Sequence, residues 1–268
     1  MNQSLEYLAS GNTEAPVLEM IRVDKRFGGV HAIDQFDLTV MPRSIYGLIG
    51  PNGAGKTTIF NTITGIYSAD AGQILYEGKD ITRIRPDQAA ALGIARTFQN
   101  IRLFGNLTVK MNVMIACNMH ARYSMFDALV RTSKYRSVTR AVEEKAQALL
   151  ETVGLADKAD DIASSLPYGH QRKLEIARAM ATQPHLLLLD EPAAGMNADE
   201  EKELVAFIRA LHEQYPITIL MIEHHMDVVT ELCEQCTVLD FGKTLASGTV
   251  DAVKQNDAVI AAYLGGEI

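Results

Sequence analysis

The run Gly50-Pro51-Asn52-Gly53-Ala54-Gly55-Lys56-Thr57 has the spacing G-x-x-x-x-G-K-[ST], and no other stretch narrows the possible folds as much. A short apolar segment at 44–49 reads as a strand leading into it, and a helix-like segment at 57–64, stopped by Gly65, follows it. Strand, glycine-rich loop and helix in this order make a phosphate cradle. The glycines let successive N–H groups converge on phosphate oxygens, and the helix adds its positive end. Lys56 offers a point charge to β- and γ-phosphates, and Thr57 a hydroxyl to Mg2+. Gly50 to Gly55 and Thr58 complete the predicted nucleotide-binding set.

A second buried strand supplies the acidic partner. The run at 185–189 ends in Asp190-Glu191. A strand-terminal Asp-Glu taken alone reads as a cap or a solvated loop, and the phosphate loop upstream reverses that reading. Asp190 is then placed to hold Mg2+ through water, and Glu191 to orient or deprotonate the attacking water. The remaining pattern is mixed α/β. Residues 17–23 and 37–41 alternate as half-buried strands, and 72–78 reads as a strand with a turn at Glu77-Gly78. Residues 107–165 are rich in Ala, Met, Leu, Glu and Lys, with Val142, Ala146, Leu149 and Leu150 at helical spacing, as an inserted helical subdomain would be. An amphipathic helix is predicted at 200–214, a fully apolar strand at 217–222, and a hairpin over 238–247.

Composition removes several classes. The net charge of −8 and pI of about 5.4 argue against a nucleic-acid-binding surface. No window approaches 18 consecutive apolar residues, so no segment is predicted to span a bilayer. The opening MNQSLEYLASGNTEAP lacks a basic start and a long apolar core, and reads as a frayed extension, not a secretory signal. Three cysteines, an odd and sparse count, suit a reducing compartment. Cys233-Glu-Gln-Cys236 has metal-like spacing but no second pair, and is read as structural.

Five motifs then appear in a telling order: GPNGAGKTT at 50–58, Gln99 in RTFQNIRLF, LPYGHQRKLEIARA at 166–179, LLLLDEP at 186–192 and His224 in MIEHHM. From about residue 17 onward the chain resembles an ATP-binding cassette (ABC) ATPase. Within that family it is similar to the ATPase subunits of branched-chain amino acid importers, on GPNGAGKTTIFNTITG, RTFQNIRLF, EPAAGMN, IEHHMDVV and VIAAYLG. The resemblance implies an α/β P-loop NTPase (RecA-like) core with a mostly parallel sheet, an antiparallel N-terminal β-subdomain and an inserted α-helical subdomain. It implies a flexible extension at 1–15 and one ATPase domain at 16–268, with the core at 16–106 and 166–268 and the helical part at about 107–165.

The same resemblance implies a mechanism. Two such domains, identical or paralogous, pair head to tail and sandwich ATP and Mg2+. Leu166, Pro167, Tyr168, Gly169, His170 and Gln171, the signature loop leading into a helix expected to begin near His170, then face the γ-phosphate held by the partner's phosphate loop. Phe27 stacks on adenine, Gln99 reaches Mg2+ and the attacking water, and His224 touches the γ-phosphate. The implied partners are two integral-membrane permease subunits and, indirectly, a periplasmic or extracellular solute-binding protein. The implied location is peripheral, on the cytoplasmic face of the inner membrane. The cargo stays open between branched-chain amino acids and related amide or urea solutes. A groove beside NIRLFGNLT is expected to receive a permease helix, with Ile101, Leu103 and Phe104 as contact area and Arg102 at the rim.

Three positions depart from the family pattern. Pro167 stands for serine and removes both a hydroxyl and a backbone donor. His170 stands for glutamine. Asn197 stands for the usual aspartate, which puts communication across the dimer through that position in doubt. Arg172, Lys173 and Arg178 are expected on a solvated helix face. A soluble cassette acting on ribosomes or DNA would carry two cassettes or a long coiled-coil insert, and a phosphotransferase would need an acceptor site and no signature loop.

Overall fold

The strands sort into two sheets according to their pairing. The computed structural model describes residues 15–121 and 123–264; apart from Ala15, the extension expected at 1–15 lies outside the described residues. In the first sheet β1 (Leu18–Phe27), β2 (Val30–Val40), β4 (Ala71–Tyr76) and β5 (Lys79–Asp80) are antiparallel in the order β2-β1-β4-β5. β1 and β2 run well beyond the segments the alternation predicts. Their register slips between Met20 and Val23 and again before Lys25, with left-handed φ of 44° at Arg22 and 47° at Gln35. Each bulge shifts the inward face by one residue, so a strict period of two loses the strand there.

The second sheet has the order β10-β9-β3-β8-β7-β6. Its members are β3 (Ile45–Ile49), β6 (Ile94–Arg96), β7 (Leu186–Asp190), β8 (Thr218–Ile222), β9 (Gln235–Asp240) and β10 (Lys243–Thr249). All neighbours are parallel except the β9–β10 hairpin. Every residue of β3, β7 and β8 is buried, which is why these strands read as unbroken apolar runs.

Alternate residues of the parallel strands feed two different cores. Leu186, Leu188, Leu220 and Ile222 face the antiparallel sheet, with Ile59, Phe60 and Ile63 of α1 (Lys56–Ile63) packed among them. Leu187, Leu189, Ile219 and Met221 face α6 (Tyr168–Met180), α7 (Ala198–Gln214) and α8 (Met226–Leu232). The chain between β6 and β7 is helical: α2 (Pro86–Ala91) precedes β6, then come α3 (Val109–Cys117), α4 (Met125–Val130), α5 (Ser133–Thr152) and α6. Val109 and Val113 of α3, Val142, Ala146 and Leu150 of α5, and Leu174 and Ala177 of α6 close a third core, with Leu149 and Phe207 touching it and the second.

α7 starts two residues earlier than the apolar pattern indicates. Asn197 caps it, accepting from the N–H groups of Asp199 and Glu200 at 3.0 and 3.1 Å while Glu200 accepts from Asn197 N. Cys233 ends α8 and Cys236 lies in β9; both are buried, and desolvation raises both thiols, Cys236 to about 11.

The phosphate loop is packed tightly between neighbouring backbones. A Cβ on Gly50 (φ 144°) would lie 2.1 Å from the Leu239 carbonyl oxygen, and one on Gly55 (φ 107°) 2.3 Å from that of Ala32. Gly53 (φ 81°) faces open space. Gly50→Ala is therefore expected to lose at least about 2 kcal/mol in urea unfolding, whereas Gly53→Ala pays only the left-handed strain of about 1 kcal/mol. Equal midpoints for the two variants would contradict the packing described.

Candidate functional site

Four adjacent strands, β3, β8, β7 and β6, bring distant sequence positions to one rim of the sheet. Their carboxyl ends carry the loop 50–55, Glu223-His224, Asp190-Glu191 and the turn to Gln99 respectively. A crevice beyond the carboxyl ends of parallel strands is where α/β sheets take ligands. α1 begins there with no side-chain cap and no acidic residue in its first turn, so its leading N–H groups are free for an anion. These features fit the phosphates of a nucleotide. Lys56 is buried, and its ammonium donates to the carbonyls of Gly50 and Pro51 at 2.6 and 2.9 Å. Burial lowers its pKa, and Glu191, Asp190 and Glu223 oppose that shift in that order. Thr57 is exposed at the first turn of α1 and Thr58 is half-buried.

Gln99 and Glu191, 92 residues apart, meet: the Gln99 amide donates to Glu191 Oε2 at 2.7 Å. His224 Nδ1 lies 3.9 Å from the same oxygen. Glu191 itself adopts a left-handed φ of 46°, a conformation costing roughly 1–2 kcal/mol for a residue with a side chain. Its N–H is anchored to Ile222 O at 2.9 Å. Thr57, Gln99 and Asp190 offer hard oxygen donors of the kind Mg2+ takes. One Asp190 oxygen accepts from Arg96 at 2.7 Å, with both side chains 5% exposed; the other has no hydrogen bond among the described residues. Phe27 is exposed at the end of β1, stacked edge-on against Tyr67 at 5.0 Å, beside the strand whose Ala32 carbonyl touches the phosphate loop.

The signature segment opens α6. Pro167 (φ −54°, ψ 153°) takes the N-cap position without a side-chain acceptor, and the helix begins at Tyr168, earlier than expected. The first carbonyl bond is Gln171 N to Pro167 O at 3.0 Å, so the N–H groups of Tyr168, Gly169 and His170 are left over. Gln171 folds back onto Leu166 O at 2.8 Å, and Tyr168 donates to Ala194 O at 3.0 Å. Among the described residues no hydrogen bond or ion pair joins 166–171 to 50–58.

Three charged residues that the sequence reading missed or misplaced hold these parts together. Arg172, expected on a solvated face, is fully buried. Its guanidinium donates to the carbonyls of Phe98 and Gln99 and to Glu175, each at 2.8 Å, and to Tyr168 Oη at 3.2 Å. It thus ties the signature helix to the Gln99 segment. Arg178 is half-buried, 5.5 Å over the Phe104 ring, and desolvation lowers its pKa; Lys173 pairs with Glu203 at 3.4 Å. Only charge at i and i+3 on an otherwise apolar helix face hinted at the burial of Arg172 and Glu175. Arg96 lies between Phe60 and Phe98, bridging Asn61 at 2.6 Å and Asp190. Its signal was a lone charge in a short apolar strand. Glu223 is fully buried and accepts from the N–H groups of Ala193, His224 and His225. Burial raises its pKa against those three bonds. It fixes the turn after Glu191 and the one carrying His224 to each other.

A groove of about 450 Å3 runs between the sheet core and the helical layer, lined by Phe98, Phe104, Ile115, Glu175 and Arg178 among others. Leu103 packs instead against the helical core, and Arg102 lies 4.1 Å over Phe98.

The sheet order, the phosphate loop and the convergent acidic strand ends define a P-loop nucleotide-binding ATPase. A family model described as ABC transporter matches residues 33–194, and one described as branched-chain amino acid ATP-binding cassette transporter matches residues 243–268. The chain belongs to the ABC transporter ATPase family. It is 42% identical to the high-affinity branched-chain amino acid transport ATP-binding protein LivG of Escherichia coli (strain K12) over 93% of this chain and 98% of that one. It is 41% identical to BraF of Pseudomonas aeruginosa over the same shares. The ADP conformation of MJ1267, an ATP-binding cassette of an ABC transporter, superposes with a TM-score of 0.80 at 30% identity, covering 94% of this chain and 99% of that one.

Arg172→Met strands a buried carboxylate and is expected to cost about 3–5 kcal/mol in urea unfolding. Adding Glu175→Gln should recover most of that stability, yet leave ATP turnover down by about tenfold with KM nearly unchanged, because the Gln99 carbonyl stays unheld. Recovery of turnover along with stability would reduce Arg172 to a packing residue. Pro167→Ser supplies an N-cap acceptor, roughly 1 kcal/mol, while freeing the unfolded chain by a similar amount. Tm should barely move and turnover should equal or exceed the parent; a collapse would show that the proline itself is needed.

Proposed function

We propose that this ATPase energises an importer of branched-chain amino acids, working as one of two cassettes on the cytoplasmic face of the inner membrane. The cargo reading is supported by the similarity to LivG and BraF along nearly the whole chain and by the match at 243–268. The mechanistic reading is carried by one observation: the phosphate loop, Asp190, Glu191, Gln99 and His224 share one rim, while the free N–H groups at 168–170 have no bond to that rim among the described residues.

The chain's own groups divide the work. Lys56 and the N–H groups at the start of α1 bind the β- and γ-phosphates, and Phe27 stacks on the adenine, a contact contributing about 1–3 kcal/mol. Glu191 accepts the proton of the attacking water, and Gln99 and His224 position that water and the γ-phosphate. When bound, Mg2+ would neutralise charge on the β- and γ-oxygens, held by Thr57, Gln99 and, through water, Asp190. The open N-terminus of α6, with Gly169 and His170, grips the γ-phosphate presented by the partner cassette, and the helix dipole favours that anion. Closure of the pair excludes water from the charges, and opening follows hydrolysis. The groove at Phe104, Ile115 and Arg178 receives a permease helix. A solute-binding protein outside the membrane selects the cargo.

Glu191→Gln is expected to bind ATP and accumulate as a closed dimer in light scattering, with turnover reduced by about 100-fold or more. Turnover per parent chain should fall on dilution. Undiminished turnover in the variant removes Glu191 from its role, and turnover independent of dilution rejects the sandwich.

A further inference from the structure

Exposed large apolar side chains recur between residues 111 and 130 of the helical layer. Met111 and Ile115 of α3 and Met119 just beyond it, spaced by four, are 48%, 41% and 44% exposed. Ile115 also lines the groove, so this stripe is continuous with it. α4 carries a second exposed set, Met125, Phe126, Leu129 and Val130, which are 91%, 68%, 83% and 51% exposed. Positions i, i+1, i+4 and i+5 form one face of a helix. α4 buries none of its own residues, so packing among the described residues does not account for such a face.

The polar groups of α4 are all turned to its ends. Ser124 Oγ accepts from Asp127 N, and the Asp127 carboxylate accepts from Ser124 N, Ser124 Oγ and Thr132 Oγ1. Those bonds, the one from Ser124 N first, lower the pKa of Asp127. Asp127 is the one acid among residues 123–140, which carry Arg131, Lys134, Arg136 and Arg140 in a chain of net charge −8. Arg140 pairs with Glu144, whereas Arg131, Lys134 and Arg136 are exposed and hold no salt bridge among the described residues.

We propose that α4 docks on the anionic surface of a lipid bilayer. Met125, Phe126, Leu129 and Val130 enter the interfacial layer, and Arg131, Lys134 and Arg136 meet the headgroups. An apolar face joined to a basic collar supplies the two signals that stable peripheral binding takes. Arg131, Lys134 and Arg136, exposed and without a salt bridge among the described residues, favour an anionic headgroup layer as the occupant. The inference leans on the transporter reading only for the presence of a membrane, and its test does not depend on ATP turnover.

The chain contains no tryptophan, so Phe126→Trp is a lone reporter. Its emission should shift to the blue with phosphatidylcholine vesicles containing about one third phosphatidylglycerol, and stay put with phosphatidylcholine alone. Salt at about 0.5 M should reverse the shift. In flotation of the otherwise unaltered chain, Arg131→Gln, Lys134→Gln and Arg136→Gln should each weaken partitioning by about fivefold. Leu129→Ser should weaken it by about tenfold. ATP turnover of these variants should match the parent. The proposal is overturned by an unmoved emission, by equal partitioning into the two vesicle types, or by variants that float like the parent while losing a copurifying membrane protein, which would assign the face to a permease.

Discussion

A buried ammonium governs this molecule. Lys56 sits where desolvation works against its charge, and Asp190, Glu191 and Glu223 work to keep it. None of the three is close to Lys56 in sequence. They arrive because β3 has β8 as its neighbour, β8 has β7, and each strand ends at the same rim. The loop's own carbonyls hold the Lys56 ammonium beside the free N–H groups of α1, so cation, donors and carboxylates share one crevice. In a low-dielectric setting such charges interact far more strongly than in water, and the balance depends on keeping the four strand ends in register.

Buried ions perform that registration. Arg96 fastens Asp190 to α1 through Asn61, Glu223 fastens the turn after Glu191 to that of His224, and Arg172 fastens α6 to the Gln99 segment. Buried ion pairs contribute little net stability compared with apolar packing, but removing one partner is costly. Their effect here is on geometry: each crosses between elements that the apolar cores alone would leave free to slide.

The contacts also form an unbroken series. Glu175 and Phe98 line the groove, Glu175 pairs with Arg172, Arg172 holds the Phe98 and Gln99 carbonyls, and the Gln99 amide meets Glu191. A displacement of whatever fills the groove therefore bears on the strand end that carries Glu191 without any remote element intervening. The same Arg172 touches Tyr168 at the start of α6, so the open N-terminus of that helix belongs to this series too.

Local chemistry by itself determined the phosphate loop, the apolar strands ending at Asp190 and Ile222, the helical insert and the order of the motifs, because glycine spacing, continuous burial and helical periodicity act over a few neighbouring residues. It misjudged β1 and β2, whose bulges break the period of two, and the start of α7, where Asn197 and Glu200 close a capping box. It also set Arg172 on a solvated face, because a charged side chain on a helix looks the same in sequence whether it meets water or two carbonyls from a strand turn 73 and 74 residues away. Only the tertiary structure decided that Gln99 reaches Glu191, that Arg96 occupies one oxygen of Asp190 and that Glu223 is buried between two turns. Those pairings follow from strand order and layer packing, which are long-range choices that no short window of residues encodes.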